Sequence, residues 1–198
     1  MDISDNQKIY THQKFTDQDC PNKAFNQLEF DSCTFINCNF SETAFSKCRF
    51  VDCSFNDCNL SLIKVEGTRF NNVNFVDSKL LGINWTKTSW PTIQLTCPLQ
   101  FHRCILDHNT FLGMYLREIV IQECKINEAD FREADLSYAM LNANDFLGSF
   151  FNETNLSYAD LSGSDNYFID IFNNKIKKAK FSLPGAMNLL AALDIEII

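Results

Sequence analysis

An apolar residue, most often phenylalanine, recurs at every fifth position over most of this chain. With each such site called a centre, the series runs from Phe15, Cys20 and Phe25 through Phe35, Phe55, Phe75, Trp85 and Trp90 to Leu95. One extra residue then falls within Thr96–Gln100, and the series resumes at Phe101 and continues to Phe181. Of these 34 centres 33 are apolar, Asn166 being the exception, and 16 of the 19 phenylalanines sit on them. A period of five fits neither the 3.6 residues of a helical face nor the two of a flat strand. A helix would scatter the phenylalanines over every side, so a helical reading is rejected. Self-similarity at a fixed period points instead to a solenoid, in which each short unit buries its apolar side chain by stacking on its neighbours.

The site two residues before each centre is the second signal. It holds mostly small residues, among them Cys33, Cys38, Thr43, Cys48, Cys53, Cys58, Ser78, Cys104, Cys124, Ala129, Ala134 and Ala139. This reads as a second inward column with little room. The intervening positions are largely Asn, Asp, Glu, Lys, Ser and Thr, as a solvated surface requires. Nine cysteines are an odd number, their spacing contains no C-x-x-C, and no export signal precedes them. They are therefore expected to be reduced and buried, neither disulfide partners nor zinc ligands.

The units EADFR, EADLS, NCNFS and NETNL-SYADL resemble the pentapeptide-repeat pattern A-(D/N)-L-x-x with phenylalanine or leucine at the centre. The resemblance extends over about residues 15 to 181. It implies an all-β fold, a right-handed quadrilateral β-helix with four units per coil. Thirty-four units then give roughly eight coils, a rod about 40 Å long at strand-like spacing. Residues twenty apart stack, Phe35 on Phe55 and Cys38 on Cys58 for example.

Three segments follow from where the period starts and stops. Residues 1–14 are polar and expected to cover the first coil, 15–181 form the β-helix with a register break near 96–100, and 182–198 abandon the period. In the last segment Ser182 is a helix N-cap candidate with Pro184 in the first turn. Met187, Leu190 and Leu193 share one helical face, and Asp194–Ile198 alternates like a short strand. Two readings of this tail stand: a cap burying that face on the last coil, or a cap that also dimerises to cover an otherwise open strand edge. The dimer reading assigns Met187, Leu190, Leu193, Ile195 and Ile197 to the contact.

Chemistry-bearing motifs are absent from the sequence. The three histidines, His12, His102 and His108, have no triad-like neighbours, since Cys104 falls on the inward column. There is no P-loop, G-x-G-x-x-G, H-E-x-x-H or nucleophile elbow, so a non-enzyme with no cofactor and no metal is expected. No apolar run is long enough to cross a bilayer. The opening MDISDNQKIYTHQK lacks a basic start and apolar core, so a cytoplasmic address is expected.

Charge is the remaining signal. A net charge of −8 argues against direct nucleic-acid binding. Residues 100–165 carry 11 acids against four bases. Glu128, Asp130, Glu133, Asp135, Asp145, Glu153, Asp160 and Asp165 are the candidate partner-binding acids of this zone. These acids either keep a β-rich array soluble or make a rod that resembles a duplex and enters a basic cleft. The ending F-S-L-P-G-A-M-N-L-L-A-A-L-D-I-E-I-I is similar to the tails of the quinolone-resistance, gyrase-protecting subfamily. Ala186, Leu189, Leu190, Leu193 and Ile195 match that pattern, and Asp194 stands where glycine is usual. The resemblance implies a tail-to-tail homodimer that mimics DNA, binds DNA gyrase or topoisomerase IV and shields it from quinolones. The alternative is a scaffold for another protein partner, unrelated to topoisomerase.

Overall fold

The computed structural model describes residues 3, 7–90, 99–193 and 195. Its regular elements are almost all strands of two to four residues, most with the centre side chain buried between outward flanks; Val73 and Leu99 are also buried, and Phe181 is only partly so. Every strand pairing is parallel, as in a chain that winds repeatedly in one direction. On the first face, Lys14–Thr16, Thr34–Ile36, Ser54–Asn56, Val73–Val76, Leu99–His102 and Val120–Gln122 form a six-stranded sheet in chain order. Centres twenty residues apart align, Phe15 with Phe35 and Phe35 with Phe55. The second, third and fourth faces follow from the centres five, ten and fifteen residues further on. The result is a quadrilateral β-solenoid of about eight turns.

The corners explain why a five-residue unit turns. At most corners the residue two after a centre has a left-handed φ, from His12 at 51° and Asp17 at 53° to Lys178 at 58°. That conformation is uncommon for residues other than glycine. Its cost is offset by a hydrogen bond to the next coil, as from His12 N–H to Asp31 O (2.9 Å) and Asp17 N–H to Ile36 O (3.0 Å).

Inside, the aromatic centres stack face to face along the rod. Phe15, Phe35, Phe55, Phe75 and Phe101 form one column with ring centroids 5.0, 4.4, 5.1 and 5.2 Å apart. Adjacent columns meet edge to face, as Phe30 and Phe35 do at 5.4 Å, so both favourable aromatic geometries are used throughout.

The second inward column is more than a place for small residues. Its side chains donate to the centre carbonyl of the preceding coil: Cys33 Sγ to Tyr10 O (3.4 Å), Thr68 Oγ1 to Phe45 O (2.6 Å) and Asn144 Nδ2 to Ile121 O (2.7 Å). The same atoms or groups also receive, as Thr68 Oγ1 does from Cys48 N–H (3.1 Å) and Asn144 Oδ1 from Cys124 N–H (2.9 Å). Asn109 satisfies four groups at once, accepting from Ile83 N–H and Trp85 Nε1–H and donating to the carbonyls of Leu80 and Leu106. The eight described cysteines are free and buried.

Three expectations are corrected, and a distortion at the polar centre Asn166 is found. The solenoid begins at Tyr10, not Phe15: Ile9–Thr11 pairs with Glu29–Asp31, and Tyr10 stacks on Phe30 at 5.2 Å. The mid-rod break adds six residues rather than one, since Phe75 aligns with Phe101 and Lys79 with Ile105, each 26 apart. Ser89 N–H still bonds Thr68 O, so the extra residues fall between Ser89 and Leu99, mostly outside the described residues. Leu95 and Pro98 lie outside them as well. A local distortion does fall at the polar centre: Asn166 is exposed, and Tyr167 turns inward in its place. Register returns by Asn155↔Lys175. Finally, Ser182 does not cap the tail helix with its side chain, because its Oγ accepts from Gly163 N–H (2.5 Å).

Burial pushes the Cys53 thiol up to about 12. In the unfolded chain this thiol ionises near its ordinary value, so above that pH the unfolded state holds fewer protons and stability falls as pH rises. Urea midpoints should be level from pH 7 to about 8 and then decline towards pH 11, less steeply in Cys53→Ala. A level profile to pH 11 contradicts this.

Candidate functional site

With the interior committed to packing, chemistry is confined to the outward positions, and the register sorts these by face. Lys125, Asp145 and Asp165 align on the second face, and Thr110, Asp130 and Phe150 on the third. Tyr115, Asp135, Asn155 and Lys175 align on the fourth, and Val120, Met140, Asp160 and Lys180 on the first. Each corner residue belongs with the face it follows.

Between Leu99 and Ser182 this division separates the charge. The second and third faces carry Asp107, Glu128, Asp130, Glu133, Asp145, Glu153, Asp165 and Asp170 against Lys125 and Arg132. The fourth and first carry Glu118, Glu123, Asp135 and Asp160 against Arg103, Arg117, Lys175, Lys177, Lys178 and Lys180. One side of the C-terminal half is strongly acidic and the other weakly basic.

The eight sequence-selected acids therefore do not form one surface. Asp145 stacks on Asp165, and Glu133 and Glu153 occupy successive turns of one corner. Among the described residues, no cation lies in ion-pair range of these four. Asp130 is partly neutralised by Arg132 (2.8 Å), whose bidentate contact holds its carboxyl below the usual range. Glu128 sits 3.4 Å from His108 Nδ1. Asp135 and Asp160 fall on the other side, where Asp135 accepts from Asn155 Nδ2 (3.0 Å) and Asp160 meets Lys180 Nζ (3.2 Å).

The acidic side is also aromatic. Phe150, Phe168 and Phe172 are 53%, 63% and 72% exposed, and Leu147 of the second face is 57% exposed. These are the three phenylalanines that miss the five-residue period, a signal present in the sequence and left unused by charge counting. The opposite side carries its own ladder: Tyr138 stacks on Tyr158 at 4.7 Å, with Arg117 over Tyr138 at 4.1 Å and Lys178 over Tyr158 at 5.5 Å.

No catalytic grouping emerges among these residues. Cys104 is buried, with its Sγ directed to the carbonyls of Phe75 and His102. His108 and Glu128 are both exposed. Among the described residues no cluster of His, Cys, Asp and Glu could hold a metal ion, and no helix is long and apolar enough to cross a membrane.

The tail forms a 3₁₀ helix over Gly185–Leu193. With three residues per turn, Met187, Leu190 and Leu193 line up, but this row is not the one that caps the rod. Leu189, on the adjacent row, packs on the core, while Met187 and Leu193 are exposed. Ile195 is exposed too, and Ile197 lies outside the described residues. Gly185 fixes the docking, because a Cβ there would lie 2.8 Å from Ser164 O and 3.0 Å from Tyr167 Oη.

Parallel strands, four sides and left-handed corners at a five-residue repeat define a parallel β-solenoid. The chain is a pentapeptide-repeat protein. Two family models, a pentapeptide repeat region over residues 28–99 and pentapeptide repeats over residues 115–143, together match just over half of it. Its fold resembles full-length QnrB1, a plasmid-mediated fluoroquinolone resistance protein, with a TM-score of 0.60 at 16% identity, covering 92% of this chain and all of QnrB1. A trypsin-treated, singly substituted form of QnrB1 gives a TM-score of 0.51 at 18% identity, covering 93% of this chain and 99% of that one. HetL, a pentapeptide-repeat protein of heterocyst differentiation regulation from the cyanobacterium Nostoc sp. strain PCC 7120, gives 0.49 at 15%, covering 87% and 86%. At these identities the likeness shows the fold alone. No curated protein matches the sequence.

Gly185→Ala should undock the tail while leaving the coils intact. Hydrogen exchange should then speed up by about tenfold or more over 185–193 and stay unchanged in 14–76. Equal protection of the tail in both proteins contradicts the docking role.

Proposed function

We propose that this chain is a non-enzymatic, DNA-mimicking protein of the cytoplasm that binds a type II topoisomerase, gyrase or topoisomerase IV, and shields it from quinolones or similar inhibitors. One observation carries the reading: eight carboxylates against two cations on one side of a narrow rod. A duplex presents a dense line of negative charge, and a protein cleft built to hold it is lined with lysine and arginine. Carboxylates repeating at the coil spacing of about 4.8 Å offer the same sign along a rod. The fold of QnrB1 supports the reading as an analogy. No cofactor and no direct contact with nucleic acid are required.

In this reading the rod is a homodimer joined tail to tail. The exposed row of Met187 and Leu193, with half-buried Leu190 between them, is the apolar surface available for the contact. Joining two tails would bring two acidic halves into one longer rod. A second reading, a scaffold for some other protein, is favoured by the Tyr138–Tyr158 ladder and Lys175, Lys177 and Lys178, which duplex mimicry does not call for.

Gyrase supercoiling at graded chain concentrations, with and without ciprofloxacin, tests the first reading. Inhibition or protection should appear, and Asp145→Lys with Asp165→Lys should weaken it by about tenfold or more, whereas Asp160→Lys should change it little. No effect at any concentration would falsify this reading and leave the scaffold. Separately, Leu190→Asp should sediment as a monomer, and an unchanged dimer removes the tail contact.

A further inference from the structure

Where the third face turns into the fourth on the last coil, a hollow of about 300 Å³ opens to solvent, lined by Glu153, Phe172, Asn173, Asn174 and Lys175. On the opposite side the exposed Tyr138 and Tyr158 stack on each other, whereas among the described residues no ring stacks on Phe172. Phe172 is 72% exposed and the most exposed aromatic ring described. Burying a ring by self-association would be one answer, but the carboxylate of Glu153 beside it has no cation in ion-pair range among the described residues. The Asn174 amide is already satisfied, donating to Phe151 O and Asp170 O, so it forms the floor and not a donor to a ligand.

A planar cation that stacks on a ring and pairs with a carboxylate answers both needs, and guanidinium does so better than ammonium. The same face shows the pairing within the chain. Arg132 lies with its guanidinium carbon 5.8 Å from the Phe150 ring while pairing with Asp130. At Phe172 and Glu153 the ring and the acid are present and the arginine is missing.

We propose that this hollow is a socket for an arginine side chain of the protein partner, the ring taking its face and Glu153 its fork. The proposal rests on the reading of the second and third faces as the partner side. It adds a point of recognition that charge along a rod does not provide, because a phosphate backbone has no ring. Lys175 on the rim works against the bound cation and sets its affinity below what ring and carboxylate alone would give.

Labelled hepta-arginine and hepta-lysine peptides, titrated by fluorescence anisotropy into the full chain, test the socket without any topoisomerase. Hepta-arginine should bind about tenfold or more tightly than hepta-lysine. Phe172→Ala and Glu153→Gln should each remove most of that preference, Phe172→Tyr should retain it, and Lys175→Ala should tighten arginine binding a few-fold. Equal affinity for the two peptides, or a preference surviving Phe172→Ala, overturns the socket. If the preference is found and gyrase is unaffected, the socket stands and only the choice of partner fails.

Discussion

The twenty-residue step between coils is the constraint on which the rest of this molecule depends. Backbone groups of each coil bond those of the next, so each short strand is stabilised only by its neighbours along the rod. The step also keeps ring on ring and places each small polar side chain under the carbonyl it bonds. A slip of one residue would turn every centre to solvent. The 26-residue coil respects the same rule. Six residues are one whole unit and one more, and the strand that follows returns Phe101 to its place on Phe75.

The described interior is given over to packing and hydrogen bonding, so a partner meets the outward positions. The cysteines, the stacked phenylalanines and Asn109 are explained by packing and hydrogen bonding alone. The outside of the rod is divided: acids and three off-period phenylalanines on one side, lysines and two stacked tyrosines on the other. The tail adds an exposed apolar row beyond the coil that Leu189 covers.

The fold was legible because a centre every five residues leaves one architecture open. The errors have physical causes. Tyr10 keeps the period, five residues before Phe15, although the opening segment that holds it is mostly polar. A period of five reports the length of an insertion only modulo five, so six extra residues look like one. Asn166 kept its numerical place while Tyr167 took its physical one, since a larger ring could fill the core through a local bend. Asn109, Asn144 and Asn174 depart from the small-residue pattern of the inward column, because a side chain there is selected by its bond to a carbonyl as well as by its size. The candidate site was legible only as composition. Acids that are neighbours in sequence point to different faces, so Asp130, Asp135, Asp145 and Asp160 cover all four sides, and only the coil register separates them.

The central claim is that the second and third faces of the C-terminal half are the side a partner meets. Hydroxyl-radical footprinting of the chain, alone and mixed with gyrase, reads this directly, since exposed aromatic rings on both sides react readily. The account predicts protection of Phe150, Phe168 and Phe172 with Tyr138 and Tyr158 unchanged. Protection of the tyrosines with the phenylalanines left reactive would contradict it.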